Sequence, residues 1–164
     1  MADEQANATG TKQLLLQKIY IKDLSFESPK APEVFTRDVS PETQLNMRTS
    51  NQDLGDEHFE VTLTLTVESK NNEETLFLIE VAQSGVFMLQ GYTPEEHAML
   101  IGSFCPSTLY PFAREAISDI ALKGGFPPLL LQPINFDALY AQAMQERSQE
   151  QVPAQQPLEG GGPH

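Results

Sequence analysis

Apolar and polar residues alternate most regularly at residues 59–67, where Phe59, Val61, Leu63, Leu65 and Val67 interleave with Glu60, Thr62, Thr64 and Thr66. A two-residue period of this kind predicts a β-strand with one buried and one wet face, as in an antiparallel sheet. Lys70, Asn71 and Asn72 then suit a tight turn, and residues 75–89 form a second strand pattern that is apolar on both parities. Phe77, Ile79 and Val81 share one face of it, and Leu76, Leu78 and Ala82 share the other with Glu80. Residues 14–26 also read as a strand, being rich in β-branched and aromatic residues and free of Gly and Pro. The alternation fails there: Ile19 and Ile21 fall on one parity and Leu24 and Phe26 on the other, which implies a bulge or burial on both sides. Residues 44–48 give a short, weak strand signal ahead of an expected turn over Asn51–Asp56. Between the first two strands, the prolines of Ser28–Phe35 disfavour ladder hydrogen bonds and predict a crossover loop.

The period changes after Gly91. Thr93, Pro94 and Glu96 have the spacing of an N-cap, a first helical position and the acid that closes a capping box. A helix is expected through Phe104, interrupted at Cys105 and Pro106, and resumed after Pro111 until Gly124 and Gly125 stop it. Asn135 is placed to cap a last helix with Phe136, Leu139, Tyr140, Ala143 and Met144 on one stripe. Strands first and helices afterwards make the fold α+β: a four-stranded antiparallel sheet with helices packed on one face. The domain division expected is a flexible N-terminus over residues 1–12, one domain over 13–147, and a disordered Gln-, Pro- and Gly-rich tail over 148–164.

Charge narrows the partners. Ten basic residues against 23 acidic ones give a net charge of −13 over 164 residues, a field that repels nucleic acid and anionic lipid and favours basic partners. The field concentrates on the sheet, where residues 56–80 carry seven acids against Lys70 alone. No segment approaches a membrane span, and Met1–Gly10 lacks the features of a signal peptide, so a soluble cytoplasmic protein is expected. Cys105 is the single cysteine, which excludes an internal disulfide and a thiolate zinc site within one chain.

Candidate chemistry is sparse. Cys105 lies between Phe104 and Pro106, an apolar setting that suits an inert thiol. His58 and His97 have no helical ligand spacing, His164 ends the tail, and no Gly-rich turn leads from a strand into a helix. No metal, cofactor or catalytic residue is therefore assigned. The acids are numerous enough that a small enzyme using paired carboxylates stays open beside a binding surface and a structural oligomerisation module. The more pointed feature is the acid interleaved with apolar residues on a sheet face: Asp23 and Glu27 share a face of the first strand, and Leu78 and Glu80 share a face of the fourth. Such a platform suits a basic docking segment.

Four stretches resemble the bacterial protein-export chaperone SecB: KIYIKDLSFESPKAPEVF at Lys18–Phe35, EETLFLIEV at Glu73–Val81, GSFCPSTLYPFARE at Gly102–Glu115 and PINFDALY at Pro133–Tyr140. The resemblance covers most of residues 17–147. It implies an ATP-independent holding chaperone, assembled as a homotetramer from two dimers, that keeps unfolded precursor proteins competent for translocation and passes them to the SecA motor. It places motor docking on Asp23, Glu27, Leu78 and Glu80, the acid-plus-Leu set isolated above. It places client binding in a groove between crossover loop, neighbouring strand and last helix, here Pro32, Val34, Phe35, Leu45, Phe136, Leu139 and Tyr140. Ser84 before Gly85 departs from the family's Gly-Gly pair, and the tail has few acids, so an auxiliary tail contact with the motor is not implied.

Overall fold

A computed structural model of the chain describes residues 10–151. Four antiparallel strands, β1 (Gln13–Glu27), β2 (Glu42–Gly55), β3 (His58–Asn71) and β4 (Glu74–Gln90), form one sheet in the order β1-β4-β3-β2. The helices follow: α1 (Pro94–Met99), a π-helical turn at Leu100–Phe104, α2 (Cys105–Lys123) and α3 (Phe136–Glu150). The expected α+β architecture is the one observed, and α2 lies on one face of the sheet, against β3 and β4. Its Leu109, Ala113, Ile117 and Ala121 belong to the core that also holds Val61, Leu63, Leu65, Val67, Ile79, Val81 and Phe87. The other face of the sheet is referred to below as the outer face.

The broken alternation in β1 is resolved by two register shifts against β4, one between Leu16 and Lys18 and one between Ile21 and Asp23. Each inserts one extra residue and restores parity. Leu14, Leu16, Ile19, Ile21, Leu24 and Phe26 consequently oppose Leu89, Phe87, Gly85, Gln83, Val81 and Ile79, all on the helix-bearing face. A third shift, between Ser69 and Lys70 where β3 meets β4, leaves Leu76 without a partner and accompanies its burial.

Several local expectations are corrected. β2 is not a short strand but runs for 14 residues, so Asn51–Gly55 belong to it and only the left-handed Asp56 and Glu57 turn the chain. The crossover segment contains a 3-10 turn at Glu33–Thr36. The helix is not interrupted at Cys105 and Pro106: the π-helical turn widens the spiral and α2 continues through Pro111, whose missing N–H is tolerated on an exposed side of the helix. α3 reaches Glu150, three residues into the segment assigned to the tail, and residues 152–164 lie outside the described residues, as do residues 1–9. The caps are as expected. Thr93 and Glu96 close a capping box, and Asn135 Oδ1 accepts from the Ala138 N–H at 3.0 Å. Gly125, at φ 88°, ends α2 with paired bonds from its own N–H to Leu122 and from Phe126 to Ala121.

Candidate client groove and docking face

Two surfaces emerge, on opposite sides of the sheet. The first is a cleft of about 510 Å3 between the second half of β2, the α1–π segment and α3. Met47, Thr49 and Asn51 form its floor, Ile101 and Gly102 one wall, and Phe136, Leu139, Tyr140 and Met144 the other. α3 is held over it by few contacts. Phe136 is buried against Tyr110, and the Ser103 hydroxyl donates to Asp137. The Tyr140 ring lies so close to Gly102 that a Cβ there would stand 2.6 Å from its Cδ2. The rest of the helix is open, with Leu139 42% and Met144 44% exposed. A helix that leaves apolar side chains half uncovered over a cleft is a surface for a partner rather than a finished core.

A second cleft of about 350 Å3 adjoins the first half of β2, where Leu45 and Thr43 face Leu129, Leu130, Leu131 and Ile134 of the segment between α2 and α3. Leu130 is 83% exposed. The two clefts share the helix-bearing side of β2, since Leu45, Met47, Thr49 and Asn51 oppose Val67, Leu65, Leu63 and Val61. Along the unpaired edge of the sheet they make one interrupted trough.

The structure distributes the expected client residues unevenly. Leu45 lines the smaller cleft, and Phe136, Leu139 and Tyr140 line the larger. Pro32, Val34 and Phe35 line neither. Val34 is buried in the core, so it anchors the crossover segment and offers no contact surface. Pro32 is exposed before the 3-10 turn. Phe35 is 50% exposed and leans on Phe126 with ring centroids 5.3 Å apart. Sequence reasoning missed Met47 and the Leu129–Leu131 wall. Parity with Leu45 would have found Met47, whereas nothing in a Pro- and Leu-rich connector reveals which strand it faces.

The second surface is the outer face of the sheet. Asp23 opposes Ala82, Ser25 opposes Glu80, and Glu27 opposes Leu78, so all four expected docking residues share this face within two neighbouring strands. The register through β3 adds a residue that was missed: Leu78 also opposes Glu68, while Glu80 opposes Thr66 and accepts its hydroxyl at 3.1 Å. A cross-strand rung therefore reads Glu27, Leu78, Glu68. Further along, Lys22 Nζ donates to Glu60 Oε1 at 2.7 Å and the Tyr20 hydroxyl donates to the same carboxylate. These two donors hold the Glu60 carboxyl below its ordinary range, the lysine first. Burial, then Glu60 itself, pushes the Tyr20 phenol up to about 12.

Cys105, Glu60, Glu96, His58 and His97 each have a local setting of their own. Burial pushes the Cys105 thiol up to about 12, which suppresses the thiolate at neutral pH. Glu60 and Glu96 are both pulled down by lysines, opposite to the requirement of a general acid. The His97 ring packs edge-on against Phe59, and His58 Nδ1 bonds to the Asp56 carbonyl at 2.6 Å, so the two histidines serve different neighbours. Among the described residues no cluster of three His, Cys, Asp or Glu side chains is placed to hold a metal, and no helix is long and apolar enough to cross a membrane.

The chain has relatives among known proteins in both sequence and fold. The family model described as preprotein translocase subunit SecB matches residues 6–147. A protein-export protein SecB from Hahella chejuensis is 46% identical over 154 residues, covering 93% of this chain and 97% of its own. Its counterpart from Nitrosococcus oceani is 48% identical over 154 residues, covering 90% and 94%. A SecB-like chaperone of Mycobacterium tuberculosis, solved in complex with a peptide from an antitoxin, superposes with a TM-score of 0.63 over 74% of this chain and 90% of its own, at 16% identity, and so shares the fold. With its family model matched over most of its length and relatives near half identity along nearly all of it, this chain belongs to the SecB family of protein-export chaperones.

Proposed function

We propose that this protein is an ATP-independent holding chaperone that captures unfolded secretory precursors in the trough beside β2 and delivers them to the SecA motor through the outer face of its sheet. The observation that carries the proposal is the half-exposed apolar stripe of α3 over the 510 Å3 cleft. Leu45, Met47, Leu139, Tyr140 and Met144 offer apolar contact to an extended chain, and Phe35 extends the same chemistry at the crossover segment. Native proteins hide such side chains and unfolded ones display them, so selectivity follows folding state. Capture needs no nucleotide, because preferential binding of the unfolded client shifts its equilibrium by mass action.

Motor docking falls to Asp23, Glu27, Leu78 and Glu80, where acid surrounds an apolar contact suited to a basic segment. The helix-bearing side of β1 supports assembly into a homotetramer from two dimers. Leu16, Ile21 and Leu24 are exposed there on an edge strand, as are Phe112 and Leu122 of α2. An edge strand beside unburied apolar side chains is a ready site for a second copy. The working unit is the domain over residues 13–147, acting in the cytoplasm.

Refolding of a denatured secretory precursor, followed in the presence of excess chaperone and without nucleotide, tests the proposal. Slowed refolding is expected, together with a light-scattering mass of four chains before precursor is added. Unchanged refolding kinetics from an assembly of that mass would leave an oligomerisation module as the better description.

A further inference from the structure

The outer face holds a concavity that the docking residues do not use. About 320 Å3 in volume, it has Lys22, Arg48, Ser50, Glu60, Thr62 and Thr64 among its lining residues. Lys22 is already engaged by Glu60. Arg48 is not: its cross-strand partner is Thr64, its neighbours on the same face of β2 are Asn46 and Ser50, and it makes no ion pair among the described residues. The nearest acid on its own rung is Asp23, three strands away at roughly 14 Å by ordinary strand spacing. Two largely buried threonines, Thr62 at 8% and Thr64 at 7% exposed, line it. Thr62 is bonded to Ser84 at 2.7 Å, whereas the Thr64 hydroxyl has no hydrogen-bond partner among the described residues. Lys22 and Tyr20 are spent on the Glu60 carboxylate, so Arg48, with no ion pair among the described residues, and the Thr64 hydroxyl, which lines the open pocket, are the donors left for a second oxyanion on this chain of net charge −13.

We infer that this pocket takes a carboxylate side chain of the docking partner, the same segment whose basic residues lie on Glu27, Glu68 and Glu80. The inference rests on the docking role proposed above and adds a polarity to it. Glu80 and Arg48 are two strands and one rung apart, roughly 12 Å, which an extended segment spans in about four residues. Residues four apart on an extended chain point the same way. The partner segment is therefore of mixed charge, with an acidic residue four positions from a basic one. A uniformly basic segment satisfies the acidic rungs and leaves Arg48 unpaired.

Two labelled peptides test this by fluorescence anisotropy at low ionic strength. Both carry a pair of lysines in a Ser/Thr background and differ only at the position four residues away, Glu in one and Gln in the other. The Glu peptide is expected to bind the wild-type chain about fivefold more tightly, and Arg48→Gln, an exposed substitution that leaves the core alone, is expected to abolish the difference. Equal binding of the two peptides by the wild-type chain overturns the inference and leaves the docking face standing. Failure of both peptides to bind overturns the docking face as well. If inorganic phosphate removes the preference when chloride at matched ionic strength does not, the pocket is a site for free oxyanions and the peptide assignment is overturned.

Discussion

Glu27 and Leu78 are direct cross-strand partners on the outer face of the sheet, and Glu68 continues their rung across β3. Their neighbouring β-carbons stand about 5 Å apart, close enough for one basic side chain to meet both a carboxylate and apolar surface. Glu68 receives the Thr75 hydroxyl at 2.9 Å and has Lys70 at 3.7 Å, so it is positioned rather than free to swing. Glu68→Lys is accordingly expected to weaken binding of a basic peptide about three- to tenfold at low salt, comparably to Glu80→Lys, and the loss should shrink as salt is raised. Client capture should be unaffected, since the trough lies on the other side of the sheet. Anisotropy titrations at two salt concentrations, paired with a precursor refolding assay, check both halves.

Gly102 and Tyr140 are in close contact beside the proposed client cleft. A methyl group at residue 102 would sit 2.6 Å from Tyr140 Cδ2 and 2.7 Å from Cε2, so the ring must move. Little else holds α3 down beyond Phe136 and the Ser103–Asp137 bond. Gly102→Ala should therefore loosen α3, costing about 1–3 kcal/mol of its docking, and the amides of residues 139–147 should lose hydrogen-exchange protection. Combining it with Tyr140→Ala removes the clash, so the double variant should show less than the sum of the two single effects. Additive losses would mean that the ring does not carry the contact.

How far the sequence foretold this arrangement depends on whether a residue's neighbours are local. The Thr93–Glu96 box and the Asn135 cap need only three residues of chain, and both are found where expected. The outer-face placement of Asp23, Glu27, Leu78 and Glu80 follows from parity within single strands. β2 was underestimated because Thr49 and Asn51 of its second half face an open cleft, so the hydrophobic alternation that marks a strand stops before the strand does. The strand survives through its ladder to β3. Glu68 and the Leu129–Leu131 wall depend on register and on a loop's path, and neither leaves a periodic trace. Val34 shows the converse: it lies in the segment that the family resemblance assigns to the groove, yet the 3-10 turn points it inward.

Glu60 makes the stability of the outer face dependent on pH. Its carboxyl is held below the ordinary value of 4.5 by Lys22 and Tyr20, so the folded state favours the ionised form. The folded chain then binds fewer protons than the unfolded one as pH falls. The contribution is fully present above about 4.5 and is lost as pH drops through the lower folded value. Urea midpoints should fall on acidification across that window, and Glu60→Gln should show a shallower fall, together with a lower midpoint at neutral pH because Lys22 loses its counter-ion. An unchanged slope in the variant would assign the acid sensitivity to other carboxylates.

Cys105 offers a probe of the core beneath both surfaces. Its side chain is fully buried at the start of α2, next to the π-helical turn that carries Gly102 and Ser103. Burial raises the thiol to about 12, so at neutral pH both access and ionisation oppose modification. Ellman's reagent should react with the native chain only through opening of the fold, and rapidly once denaturant exposes the thiol. Cys105→Ala should cost about 1 kcal/mol for the small void, and Cys105→Ser about 1–3 kcal/mol for burying a hydroxyl that must find a new partner. The reaction rate also reports on the helix above: if Gly102→Ala loosens α3 alone, Cys105 stays protected in that variant, whereas a rate rising in step with the lost protection of α3 would show that the π-helical turn opens with it.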